Sequence, residues 1–242
     1  LILLGVARPG AVVLTPTPTF VMYEMIATFV GMRFVGVPLA MDFGLDLAAL
    51  RAAIKEHRPA VVFLAYPNNP TANLWDDAVI DRCIEAMARI EGLVVMDEAY
   101  QPFAARDSMA RLAKYPNLLL MRTMSKFGLA GVRIGYLIGR SELVGEIDKM
   151  RPPFNVSVLN AEAGLFALEH AEVYVQQAAA IRRDRDALFE QLKALSGVKA
   201  YPSQANMILA RVRDAVATFT RMRERGVLIK NVSALHPLLD NC

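Results

Sequence analysis

The chain has 242 residues, 55% of them hydrophobic and 21% charged, with a net charge of +3 and a mean hydropathy of +0.31. That length can bury one large core, or one and part of a second, and so apolar a balance calls for a buried parallel sheet, a large interface, or both. No apolar run approaches the ~18 to 20 residues of a membrane-spanning helix, and interleaved charges such as Arg182-Arg-Asp-Arg-Asp186 read as a solvated helix face, against nucleic-acid binding.

Residues 1–8 read as the tail of a helix stopped by Pro9-Gly10, and Ala11–Leu14 as a short buried strand. Thr15-Pro-Thr-Pro-Thr19 is expected to be a turn, because its prolines cannot continue a central strand. Phe20 to Val30 has helical spacing, with Met22, Met25, Ile26 and Phe29 on one side and Gly31 as a C-cap. Arg33–Val37 is a strand, and Asp46 caps an amphipathic helix with Leu47, Leu50 and Ile54 on one stripe, ending before Pro59.

Three units with one grammar follow. Ala60–Ala65 is a continuous apolar run ending in Tyr66-Pro-Asn-Asn-Pro-Thr71, followed by a helix over about Asp76–Arg89. Leu93–Met96 is a second run, ending in Asp97-Glu-Ala-Tyr100, followed by a short helix near Asp107–Lys114. Leu118–Met121 is the third, ending in Thr123-Met-Ser-Lys126. Apolar runs without alternation, separated by helices, indicate parallel strands covered on both faces. The loops at the carboxyl ends of such strands converge on one crevice. Asn69, Asp97 and Lys126, 28 and 29 residues apart in sequence, are therefore expected to face one site.

Beyond this, Ile134–Ile138 is a strand, Ser141–Met150 a helix and Arg151-Pro-Pro-Phe-Asn155 an irregular connection. Helices are expected over Val156–His170, Glu172–Leu195 and Asp214–Arg225, with strands at Val198–Tyr201, Asn206–Ala210 and Val227–Ile229. The expected architecture is α/β: a three-layer α/β/α large domain with a mostly parallel sheet over residues 1–170, and part of a smaller α+β domain over 171–242. The chain lacks an initial Met, opens within an apolar run too short for a signal peptide, and reads as a piece cut from a longer protein at both ends.

The only cysteines, Cys83 and Cys242, lie far apart, and His57, His170 and His236 are scattered. No metal site or disulfide is expected, and a reducing compartment, the cytoplasm, fits. The stretch Leu118 to Gly135 contains Lys126, which alone would pass for a surface cation. In an apolar pocket the same amine can form a Schiff base with a carbonyl compound. An apolar strand ending in Asp97-Glu98 also resembles the magnesium-binding strand of P-loop ATPases. The phosphate-cradling GxxxxGK[ST] loop that such a site needs is absent from the sequence.

Pyridoxal 5'-phosphate accounts for more residues at once. It requires a lysine, a carboxylate facing the pyridinium nitrogen, donors for the phenolate oxygen, and a phosphate cup with a cation. Lys126, Asp97, the pair Asn69 and Tyr100, and the group Thr123, Ser125 and Arg133 supply these in turn. Gly128 and Gly131 would let the backbone approach closely.

Pro67-Asn-Asn-Pro-Thr71, Asp97-Glu-Ala-Tyr100 and Ser125-Lys-Phe-Gly-Leu-Ala-Gly-Val-Arg133, in this order and spacing, resemble the fold type I aminotransferases, among them most closely those acting on histidinol phosphate. Thr17-Pro-Thr-Phe20 with Met22-Tyr23 matches the family segment whose aromatic ring stacks on the cofactor, placing Phe20 there. The resemblance implies that Lys126 holds the cofactor and then acts as general acid and base. It pairs Asp97 with the ring nitrogen, and Tyr100 and Asn69 with the phenolate oxygen. Asn69 would also touch substrate, and Thr123, Ser125 and Arg133 would bind phosphate. A small-molecule amino donor and a 2-oxo acid are the implied substrates, namely histidinol phosphate and 2-oxoglutarate in histidine biosynthesis, in a homodimer. Aromatic aminotransferases and threonine-phosphate decarboxylases share much of the pattern, and a non-catalytic relative is the reading from another class. The family's Pro-Thr-Gly is Pro-Thr-Ala72 here. A positive φ at that position would cost ~1 kcal/mol.

Overall fold

The computed structural model describes all residues from Leu1 to Cys242. Six strands form the main sheet: β1 (Val12–Thr17), β2 (Arg33–Pro38), β3 (Val61–Ala65), β4 (Leu93–Asp97), β5 (Leu118–Thr123) and β6 (Gly135–Ile138). Their order is β2-β1-β3-β4-β5-β6. The first five are parallel and β6 runs antiparallel to β5. The helices of this part are α1 (Ile2–Val6), α2 (Met22–Phe29), α3 (Leu47–His57), α4 (Asp77–Ala88), α5 (Arg111–Lys114), α6 (Ser141–Asp148) and α7 (Val158–Glu169). Then come the 23-residue α8 (Ala171–Lys193), a small antiparallel pair β7 (Lys199–Ala200) and β8 (Ala210–Arg211), and α9 (Ala215–Glu224).

Side chains alternate across the sheet, so each buried strand feeds two cores. Leu14, Val62, Leu64, Val94, Met96, Leu118 and Leu120 point to one face, where Leu50 and Ile54 of α3 and Ile80, Cys83, Ile84 and Met87 of α4 cover them. Val13, Val61, Phe63, Val95 and Leu119 point to the other, beneath Ile2 and Leu3 of α1, Tyr23 and Ala27 of α2, and Ile147 of α6. The three layers expected from unalternating apolar runs are thus present. Each fully buried Leu, Ile or Val here contributes roughly 1.5–3 kcal/mol. Helix starts follow their caps: Asp46 accepts from the Ala49 amide (2.9 Å), and Asp76 from Ala78 (2.7 Å) and Val79 (3.3 Å).

Several expectations fail, among them the strand over Asn206–Ala210, of which only Ala210 pairs. β1 does not stop at Leu14 but runs through Pro16 to Thr17. The carbonyls of Ala11 and Thr17 accept amides on the β2 side, whereas Val12 bonds toward β3. Pro16 shares the parity of Val12, and pairing with β3 ends at Leu14↔Val62. Its missing N–H therefore faces a side with no ladder to break. On α2 the side that carries Met25, Ile26 and Phe29 faces outward, Phe29 being 90% exposed, whereas Tyr23 and Ala27 are buried. Val227–Ile229 forms no strand. No neighbouring strand offers it a ladder, and all three side chains are exposed.

Candidate active site

The site lies at the carboxyl edge of the parallel strands. The register Ala65↔Asp97↔Met121 sets the ends of β3, β4 and β5 side by side. The chain then leaves the sheet through Tyr66–Thr71, Glu98–Tyr100 and Met124–Leu129.

Asn68 and Asn69 divide their work. Asn68 is wholly buried; its Nδ2 donates to the Pro18 carbonyl (3.0 Å) and to Thr71 Oγ1 (2.7 Å), while its Oδ1 accepts from Thr19 Oγ1 (2.9 Å). It binds two loops together. The amide of Asn69 remains at the site and donates from Nδ2 to the Tyr100 hydroxyl (3.1 Å). Lys126 Nζ lies 5.3 Å from the Tyr100 ring centroid. Asn69, Tyr100 and Lys126 are thus in one contact chain.

Asp97 ends β4 and is 7% exposed. Its Oδ2 accepts from the Tyr23 hydroxyl (2.6 Å) and its Oδ1 from the Ala99 amide (3.1 Å). Burial pushes this carboxyl above the ordinary range; the Tyr23 hydroxyl and the Ala99 amide oppose the rise, and the Glu98 charge adds to it. Burial also raises the Tyr100 hydroxyl, with the Asp97 charge contributing and Asn69 opposing. Tyr23 stacks on Phe63 (4.8 Å between centroids), and Phe20, 40% exposed, stands edge-on to Tyr23 at 5.7 Å.

The two adjacent acids of the β4 end differ sharply. Arg122 donates to Glu98 Oε2 from Nη2 (2.7 Å) and Nε (2.9 Å), and the Ser108 amide donates to Oε1 (2.6 Å). Asp97 has no Lys, Arg or His within 4.0 Å. A buried carboxylate without a cation is costly unless something outside the chain supplies the charge.

The remaining predicted residues are joined less closely. Thr123 Oγ1 donates to the Ile134 carbonyl (3.2 Å) and accepts the Ser125 amide (3.1 Å). Lys126 lies in a wide helical turn, Ser125–Leu129, which bends at Gly128 (φ 109°). A Cβ there would stand 2.9 Å from Tyr174 Cδ1. At Gly131 a Cβ would meet nothing within 4 Å, so the close approach expected there is not to any part of this chain. Arg133 is exposed, has φ 54°, and contacts only the Ala130 carbonyl (3.3 Å). Tyr23 is the residue that sequence reasoning passed over. Its signal was a lone hydroxyl on the buried Tyr23/Ala27 stripe of α2.

A cavity of about 280 Å³ adjoins Phe20 and Pro70 and also touches Glu24 and His236. A larger one, about 540 Å³ between Phe43, Trp75 and Tyr201, holds none of the predicted residues. Its polar groups are loop and cap residues such as Asp42, Asn73 and Asp76, which are already engaged locally.

Residues 1–237 match the family model for class I and II aminotransferases. A histidinol-phosphate aminotransferase of Methylibium petroleiphilum is 63% identical over 234 residues, covering 97% of this chain and 63% of that protein. The chain thus spans a little under two thirds of that relative's length. The solved histidinol-phosphate aminotransferase of Sinorhizobium meliloti, in complex with pyridoxal-5'-phosphate, is 30% identical with a TM-score of 0.84, covering 95% of this chain and 64% of that one. That of Clostridium acetobutylicum shares the fold at a TM-score of 0.89 and 21% identity, covering 99% and 73%. The ordered strand-end motifs, the layered sheet and a family match over nearly the whole length agree: this chain belongs to the class I and II aminotransferases.

Proposed function

We propose that this chain is the cofactor-binding part of an aminotransferase that moves an amino group between histidinol phosphate and 2-oxoglutarate, in cytoplasmic histidine biosynthesis. The observation that carries the reading is the buried carboxylate of Asp97, held by two donors and left without a cation. A protonated pyridine nitrogen is the partner that such a group fits. Pyridoxal 5'-phosphate, when bound, supplies an electron sink that lets the α-hydrogen of an amine leave as a proton.

The chain's own residues divide the remaining work. Lys126 Nζ would hold the cofactor and, as a free amine, would take the proton from the substrate α-carbon. The Asn69 and Tyr100 pair presents donors beside that amine, suited to an anionic oxygen. Phe20 offers an aromatic face next to Tyr23. The hydroxyls of Thr123 and Ser125 and the guanidinium of Arg133 are assigned to phosphate, and Asn69 also to the substrate. High identity to histidinol-phosphate aminotransferases supports the choice of donor.

A homodimer is part of this reading. Helix α7 carries large apolar side chains at its surface, with Val158 75%, Leu159 81% and Leu168 62% exposed, and only Asn160, Glu162 and Glu169 among its twelve residues are polar. A helix of that composition is normally covered. We also place a division between a larger and a smaller domain at residue 171, where α8 begins.

In the intact protein, pyridoxal phosphate should give an absorbance band at the visible edge. Borohydride should bleach the band and leave the label on Lys126, and Lys126→Ala should abolish it. Absence of the band refutes the cofactor reading. An amino-donor profile favouring phenylalanine over histidinol phosphate refutes the substrate.

A further inference from the structure

We propose that Tyr23 is a positioning residue: its buried hydroxyl orients the Asp97 carboxylate and keeps it ionised, so that a proton stays on the cofactor's ring nitrogen. The inference rests on the reading of Asp97 proposed above and goes beyond it by naming what controls that carboxylate.

The phenol is 5% exposed, and its 2.6 Å bond to Asp97 Oδ2 is the only one its oxygen makes. The ring already packs on Phe63 at 4.8 Å and needs no hydroxyl to do so. A phenylalanine there would avoid the cost of burying a polar group. The hydroxyl is thus explained by its partner. Asp97 Oδ1 takes the Ala99 amide, so each carboxylate oxygen is fixed by one donor and keeps lone-pair capacity for one more. A donor to one oxygen also makes a carboxylate less basic. A ring proton facing Asp97 then remains on nitrogen and does not pass to the carboxyl.

Tyr23 also touches Phe20 edge-on, so a single side chain contacts both the residue assigned to the ring's face and the one assigned to its edge. The other charged neighbours do not compete for this role. Glu98 is held by Arg122 and Ser108, and the Tyr100 hydroxyl accepts from Asn69. Arg111 with Asp77 and Asp81 forms a separate group in which each charge is answered.

The test is a pH titration of the lysine-bound chromophore in the intact protein loaded with pyridoxal phosphate. Loss of positive charge from the ring raises the pH at which that chromophore deprotonates. Asp97→Asn should therefore give a large upward shift. Tyr23→Phe should shift the midpoint in the same direction by less than half as much, without lowering the thermal midpoint by more than a few degrees. Phe63→Leu, which loosens the stack but keeps the hydroxyl, should lower the thermal midpoint and leave the chromophore where it is. If Asp97→Asn moves the titration and Tyr23→Phe does not, the positioning role is refuted while the cofactor reading stands. An equal shift in Phe63→Leu would make Tyr23 a packing residue and also refute it. If the unsubstituted protein has no chromophore, both readings fall.

Discussion

Arg122→Met removes the cation from the buried Glu98 and keeps most of the side-chain volume. The Glu98 side chain is 0% exposed and retains only the Ser108 amide as donor. The variant must either bury an unpaired charge or bind a proton. Starting from an ordinary value of 4.5, protonation at pH 7.5 costs roughly 1.36 × 3, about 4 kcal/mol. That figure is the Glu98 protonation part alone, to which loss of the part-exposed Arg122–Asp107 pair (3.0 Å) adds little, and it agrees with the roughly 3–5 kcal/mol typical of half-removed buried pairs. Burial already pushes the Glu98 carboxyl up in the native protein, and Arg122 opposes that push. Without Arg122 the folded chain holds a proton that the unfolded chain releases. Stability is then fully present below the unfolded value and falls as pH rises toward the folded one. The loss should therefore shrink to about 1.4 kcal/mol at pH 5.5, one unit above the reference value. Urea unfolding at both pH values measures it, and the thermal midpoint at pH 7.5 should drop by roughly 8–16 °C. Glu98→Gln combined with Arg122→Met should recover at least half of the loss. A cost below about 1 kcal/mol, or one equal at both pH values, would refute the claim that Glu98 depends on Arg122.

Other changes have smaller, defined outcomes. Asp76→Ala should cost about 1 kcal/mol in urea unfolding, since it frees the Ala78 and Val79 amides at the start of α4. Ala72 has φ 60° and is fully buried. In Ala72→Gly, relief of ~1 kcal/mol of strain is offset by loss of a buried methyl worth ~0.8 kcal/mol, so stability should change by less than about 1 kcal/mol. Burial pushes the Cys83 thiol up to about 12. Alkylation of Cys83 at pH 8.5 should therefore proceed only as fast as the chain opens, and fast labelling of native protein would contradict its placement beneath the sheet.

The sequence by itself determined the parallel sheet, the helices between its strands and the strand ends that carry Asn69, Asp97, Tyr100 and Lys126. Those features are encoded locally: unalternating apolar runs, caps at Asp46 and Asp76, and polar residues where each run stops. It also flagged Ala72 as a position of strain if φ were positive, and φ is 60°. What it could not determine depends on neighbours distant in the chain. Pro16 is tolerated in β1 because β3 has stopped pairing by then. Which side of α2 is buried depends on where Phe63 and Asp97 lie, and they select Tyr23 over Phe29. Asp97 and Glu98 are adjacent carboxylates with the same local surroundings in sequence. Alternation along β4 sends one toward Tyr23 and the other toward Arg122, 24 residues away. Only the folded sheet decides that one acid is neutralised from within while the other is left without a cation of this chain, because charge pairing depends on distance in space.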